Sequence, residues 1–303
     1  NEASMSQSNN TATLNDDIFP VITSVSLAAN NSTLAVTFSE AVYNTNGGSG
    51  ALEASDFVFS ITLGTATLSS TTPSSISISG NVYTLGIGLS GNPDGEEVLV
   101  VNPVDDSIYD ATGNEASTSQ SNNTVELNEK IVPIISSVAL ASDNSTIAVT
   151  FSEAVYNATG GSGALEKPDF AFSITGGTAT LTSTTPSSIS ISSNVYTLGI
   201  TLTGTPDGSE VLTVNPKDDS IYDATDNEAS TAQNNNTATL NDNTVPTVTS
   251  VSSVTANGTY SIGSVVQVAT VFSEEVVVTG TPQITLETGT TDRTVNYASG
   301  SGT

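Results

Sequence analysis

The side chains available for chemistry in this chain are carboxylates. Its 303 residues include 31 Asp and Glu against 4 Lys and Arg, a formal net charge of −27. It has no His, no Cys and no Trp. That removes the Ser-His-Asp triad, the Cys nucleophile and the His or Cys zinc site. It removes disulfides too. A nucleic-acid surface needs Lys and Arg to neutralise phosphates, and they are almost absent. An anionic membrane would repel such a chain, and no apolar run is long enough to span a bilayer.

The carboxylates are not scattered. Asp16 and Asp17 lie in a segment that ends at Pro20, Glu40 follows "TFS", and Asp106 and Asp110 lie in "VDDSIYDATGNEAS". A second set follows at Glu129, Glu153, Asp219 and Asp223, and a third begins with Asp242 and Glu274. Several carboxylates converging without Lys or Arg repel one another unless a cation joins them. Calcium takes six to eight hard oxygen ligands, which these residues and nearby amides and carbonyls can supply. These residues are therefore candidate calcium ligands. The competing reading has Glu of "FSE" bonding within its loop, while the Asp residues shape turns and face water. Paired carboxylates can also run a glycosidase. Here they recur in loops rather than in one aromatic-lined cleft, so no enzyme is expected. Lys-Asn crosslinks fail for the first copy, because residues 17–128 contain no Lys.

What must position these residues is a repeat. "NEAS" occurs at Asn1, Asn114 and Asn227, a step of 113 residues. Residues 17–113 match 130–226 at 74 of 97 positions without a gap. One structural unit per period follows from copies this alike. The segment L-N-x-x-x-x-P recurs at 14–20, 127–133 and 240–246 and reads as a linker into a first strand. The expected domains are 17–128, 129–241 and a divergent 242–303, with 1–16 the last strand of a preceding domain. That strand pairs either within a longer chain or in trans, as a donated strand.

Within a copy the hydrophobic period is two. Leu34, Val36 and Phe38 alternate, as do Phe57, Phe59 and Ile61, Ile76 and Ile78, and Tyr83, Leu85 and Ile87. Turn signals such as "GNPDG" at 91–95 separate the runs, and only 51–57 suits a helical turn. About seven short strands per copy predict an all-β fold of tandem immunoglobulin-like β-sandwiches in an extended array.

"VTFSEAVYN", "DFVFSI" and "DSIYDATGNEAS", in that order, resemble bacterial Ig-like repeats of very large surface proteins. In the third copy, "FSEEVVVTGTPQITLETG" and "VNYASGSGT" resemble repeats of giant secreted and motility-associated proteins. "LNDNTVP" resembles the acidic junctions of cadherin-type domains, where calcium stiffens the chain. The resemblance implies an extracellular or cell-surface, non-catalytic stalk or filament. Its partners would be neighbouring copies and, in a binding role, surface glycan or protein. Tyr43 and Tyr156, and Tyr109 and Tyr222, occupy equivalent positions, which favours scaffold over diversified recognition. Ser/Thr-rich segments at 69–77 and 182–190 read first as a loop followed by an exposed edge strand and second as glycosylation sites, and N-x-S/T sequons including Asn9, Asn31 and Asn144 are weaker signals of glycosylation.

Overall fold

The computed structural model describes residues 2, 5, 6, 8 and 10–302. Among them the fold is all-β, with two short 3-10 turns and no α-helix. The first nine strands are β1 (Ile22–Leu27), β2 (Thr33–Phe38), β3 (Phe57–Thr62), β4 (Thr67–Leu68), β5 (Ile76–Ser79), β6 (Val82–Gly86), β7 (Leu89–Ser90), β8 (Val98–Pro103) and β9 (Thr124–Glu126). They make a four-stranded antiparallel sheet ordered β1-β2-β6-β5, a three-stranded sheet β3-β8-β9 and the small ladder β4-β7. The period-two pattern sets which face is buried. Leu34, Val36 and Phe38 of β2 and Tyr83 and Leu85 of β6 join Phe57, Phe59, Leu99 and Val101 of the other sheet in one core. The arrangement is β-sandwich-like. With no Trp or disulfide, aromatic packing centres it: the Tyr83 ring meets Phe38 edge-on, centroids 5.7 Å apart.

The next nine strands repeat the first at an offset of 113. They are β10 (Ile135–Leu140), β11 (Thr146–Phe151), β12 (Phe170–Thr175), β13 (Thr180–Leu181), β14 (Ile189–Ser192), β15 (Val195–Gly199), β16 (Leu202–Thr203), β17 (Val211–Pro216) and β18 (Thr237–Thr239). Their sheets, β10-β11-β15-β14, β12-β17-β18 and β13-β16, have the same order. The third copy contributes β19 (Val248–Ser253), β20 (Val268–Phe272), β21 (Gln283–Leu286) and β22 (Arg293–Asn296), paired as two hairpins. The pairing of β19 with β20 begins Val248↔Phe272 and shifts register before Ser250. The pairing of β1 with β2 begins Ile22↔Phe38 and shifts before Ser24. The same bulged hairpin is thus kept, with a longer turn that displaces "FSE".

The chain divides into two compact units, 1–135 with 151–169 and 216–233, and 136–150 with 170–215 and 234–303. The helical turn expected in 51–57 is the 3-10 turn Ala54–Asp56, and Asp56 accepts the Glu53 N–H at 2.7 Å. The segment after Pro73 leads into β5, an edge strand as its Ser/Thr-rich composition suggests, and Ile78 on it is 46% exposed. Residues 10–17 form no strand, and Leu14 is 90% exposed, whereas Leu127 and Leu240 at equivalent positions are buried. The rest of the expected N-terminal strand rests partly on positions 1, 3, 4, 7 and 9, outside the described residues.

Candidate functional site

The site is assembled by one serine and one linker in each copy. Val21 N–H donates to Ser39 Oγ at 3.1 Å, and Ser39 N–H donates back to Val21 O at 2.9 Å. The reciprocal pair recurs at 3.1 and 2.9 Å between Ile134 and Ser152, and at 3.0 and 2.8 Å between Thr247 and Ser273. It ties the end of β2, β11 or β20 to the incoming linker. The residue after each serine, Glu40, Glu153 or Glu274, therefore lies by the linker acid Asp16, Glu129 or Asp242.

The third side comes from the loop after β8 or β17. An antiparallel bridge between Tyr43 and Tyr109 holds that loop in the first copy, and Tyr156 with Tyr222 does so in the second. Asp110 is buried, and its Oδ1 accepts N–H groups from Thr112, Gly113 and Asn114 at 2.8, 2.6 and 2.8 Å. Asn114 Nδ2 donates to Asp110 Oδ2 at 2.8 Å and to the linker carbonyl of Asp16 at 2.9 Å. Burial opposes the charge on Asp110, but the bonds from Asn114 and Thr112 outweigh it and hold the carboxyl below its ordinary range. Asp223 is held low in the same way.

One oxygen each from Asp16, Glu40 and Asp110 lies within 4.8 Å of the others. Glu40 takes the strain. Burial first, then the charges of Asp110 and Asp16, push its carboxyl above the usual range. In the second copy burial and then Asp223 and Glu129 raise Glu153. The longer Glu129 reaches into its cluster, accepting hydrogen bonds from Thr225 Oγ1 and Asn227 Nδ2. In the third, Thr244 Oγ1 bonds Asp242 at 2.6 Å and lies 3.2 Å from Glu274 Oε2. The Thr244 hydroxyl and N–H hold the Asp242 carboxyl low.

Of the residues singled out from sequence, Asp16, Glu40, Asp110 and their counterparts Glu129, Glu153, Asp223, Asp242 and Glu274 are drawn to these positions. Asp17 is exposed and stands outside the trio. Asp106 and Asp219 shape turns instead, with positive φ of 57° and 54°. Their N–H groups donate to Glu115 and Glu228 at 2.6 and 2.5 Å. All donors in the trio are oxygens, the set suited to a hard divalent cation rather than a soft metal.

The linker itself is tied on both sides. Asn31 Nδ2 donates to Asn128 O at 2.7 Å and Asn31 Oδ1 accepts the Asn128 N–H at 2.9 Å. Lys130 N–H donates to Pro93 O in the "GNPDG" turn at 2.8 Å. Asn144 and Asn241 repeat the amide clasp, and Asn243 N–H donates to Pro206 O at 2.9 Å. Asn31 and Asn144 are therefore buried structural amides.

Sequence reasoning missed one feature altogether. Glu97 and Glu210 are carboxylates with 0% exposure. Glu97 Oε1 accepts N–H groups of Thr65 and Ala66 at 2.9 and 2.8 Å, and Oε2 those of Asp94 and Gly95 at 3.1 Å each. Burial works against the charge, yet the backbone donors prevail and the carboxyl is held below its ordinary range. Gly64, at φ +60°, leaves the room: a Cβ there would lie 2.3 Å from the Glu97 carboxyl carbon.

Comparison with protein-family models, curated proteins and solved structures finds no match for this chain. Among the described residues no helix is long and apolar enough to cross a membrane.

Proposed function

We propose that this chain is a spacer: a run of immunoglobulin-like copies that holds other parts of an extracellular or cell-surface protein apart, with calcium at the acidic cluster of each linker. The observation that carries the reading is the linker at 128–130. The preceding copy clasps it through Asn31 and Pro93, and the following copy through Thr225 and Asn227. A connection bonded on both sides transmits orientation, which a stalk requires and an independent string of binding modules does not. The cation role fits the same place. A divalent ion joining Asp16, Glu40 and Asp110 relieves the repulsion that raises Glu40 and ties linker, hairpin and loop together. The high net negative charge keeps neighbouring spacers apart in solution.

Small-angle scattering on chains carrying increasing numbers of the 113-residue copy tests the spacer role. A maximum dimension that grows in proportion to copy number supports it. Growth with the square root of copy number, as for freely jointed beads, sinks it.

A further inference from the structure

The two near-identical copies differ at one loop crossing in a way that has a chemical consequence. In the first copy the loop 44–50 lies over the loop 110–114. A Cβ on Gly48 would be 3.0 Å from Ala111 Cα, and one on Gly113 would be 2.4 Å from Asn46 Oδ1. In the second copy Thr159, Gly160 and Asp226 stand where the first has Asn46, Gly47 and Gly113, and the Asp226 carboxylate accepts the Gly160 N–H. In the first copy Gly113 has no side chain with which to hold the equivalent Gly47 nitrogen. Asn46 and Gly47 are both exposed, Gly47 is at φ +98°, and nothing lies within 4 Å of where its Cβ would be.

We propose that Asn46 is a deamidation site, and that its modification gives the first copy the acidic loop crossing that Asp226 gives the second. The Gly47 backbone nitrogen, on losing its proton, attacks Asn46 Cγ. A new C–N bond closes a five-membered succinimide, the Cγ–Nδ2 bond breaks, and ammonia leaves with the proton. Water then opens the ring at either carbonyl, leaving an aspartyl or isoaspartyl residue. One water is consumed, one ammonia is released, and nothing is oxidised or reduced. Glycine favours the closure because no side chain hinders the attacking nitrogen and its backbone reaches unusual angles at little cost. The new carboxylate lies beside Gly113, whose N–H serves Asp110. Modification therefore adds charge at the edge of the first acidic cluster.

The test is to hold the folded full chain in mildly alkaline buffer at physiological temperature and follow it by peptide mapping and an isoaspartate-specific methyltransferase assay. The account expects the amide-to-acid mass gain and methyl acceptance on the peptide containing Asn46. Both should be lost in Asn46→Thr, which installs the second copy's residue. Isoelectric focusing should show the matching acidic shift. A mass gain confined to the other Asn-Gly pair, Asn257–Gly258, overturns the proposal. So does modification at Asn46 that appears only after denaturation.

Discussion

Glu40 and Glu97 are the same side chain in the same sandwich-like copy, and their surroundings push them in opposite directions. Glu97 is wholly buried and its carboxyl is held low, because backbone N–H groups of two turns converge on it. Glu40 is half-buried and its carboxyl is pushed up, because two further carboxylates share its site. The contrast separates two uses of charge. At Glu97 the fold supplies the counter-dipoles, and the carboxylate staples the turns before β4 and β8. At Glu40 the fold supplies more of the same charge, and the carboxyl is pushed above its ordinary range.

The largest effect expected on this comparison comes from emptying the first niche. Glu97→Ala leaves backbone N–H groups buried without an acceptor and is expected to cost about 3–5 kcal/mol, read from denaturant unfolding. Glu210→Ala should behave alike in the second copy. A cost below about 1 kcal/mol would mean that Glu97 is not the staple described. Next is the clasp that fixes the linker carrying Asp16's counterpart. Asn31→Ala strips three hydrogen bonds from Asn128 and is expected to cost about 2 kcal/mol.

A smaller effect sharpens the picture of the Glu97 niche. Leu63, beside Gly64, is 72% exposed at φ +64°, where the second copy has Gly176. Leu63→Gly should stabilise the first copy by roughly 1 kcal/mol, by relieving a left-handed conformation that costs a branched side chain. Smallest is Glu40→Gln, which removes repulsion. Without calcium it should stabilise by a few tenths of a kcal/mol, the scale of a partly exposed charge pair.

Acid titration should expose both signs. Glu97, with a depressed folded pKa, contributes stability above the ordinary Glu range that is lost as pH falls through its folded value. Glu40 and Glu153, with raised folded pKa values, cost stability when charged, and that cost is relieved as pH falls through those raised values. Thermal melting without calcium should therefore rise slightly on mild acidification and then collapse. A decline from neutrality onward would show that the clusters carry no net strain.

Much of this was legible in the sequence, for identifiable reasons. The alternating residues of β2, β3 and β6 marked strands because one face of each is buried. Asp16, Glu40 and Asp110 could be grouped because the linker, "FSE" and "DSIYDATGN" recur together, and antiparallel connections return to one end. The edge strand β5 was legible because a Ser/Thr-rich run with a Pro suits an exposed edge better than a covered strand. Asp106 was grouped as a ligand because composition does not separate a turn-forming Asp from a converging one. Glu97 was invisible because "PDGEE" reads as an exposed turn. The one available signal was the pairing of copies: Glu96 becomes Ser209 while Glu97 remains Glu210. The Asn31 clasp hid behind a sequon in the same way.

Calorimetric titration of calcium into the chelator-treated chain, paired with thermal melting, tests the central claim most directly. The account predicts saturable binding, a raised melting midpoint, and weakening of both in Glu40→Gln with Glu153→Gln. Absence of binding heat together with superimposable melting curves in calcium and in chelator would contradict it.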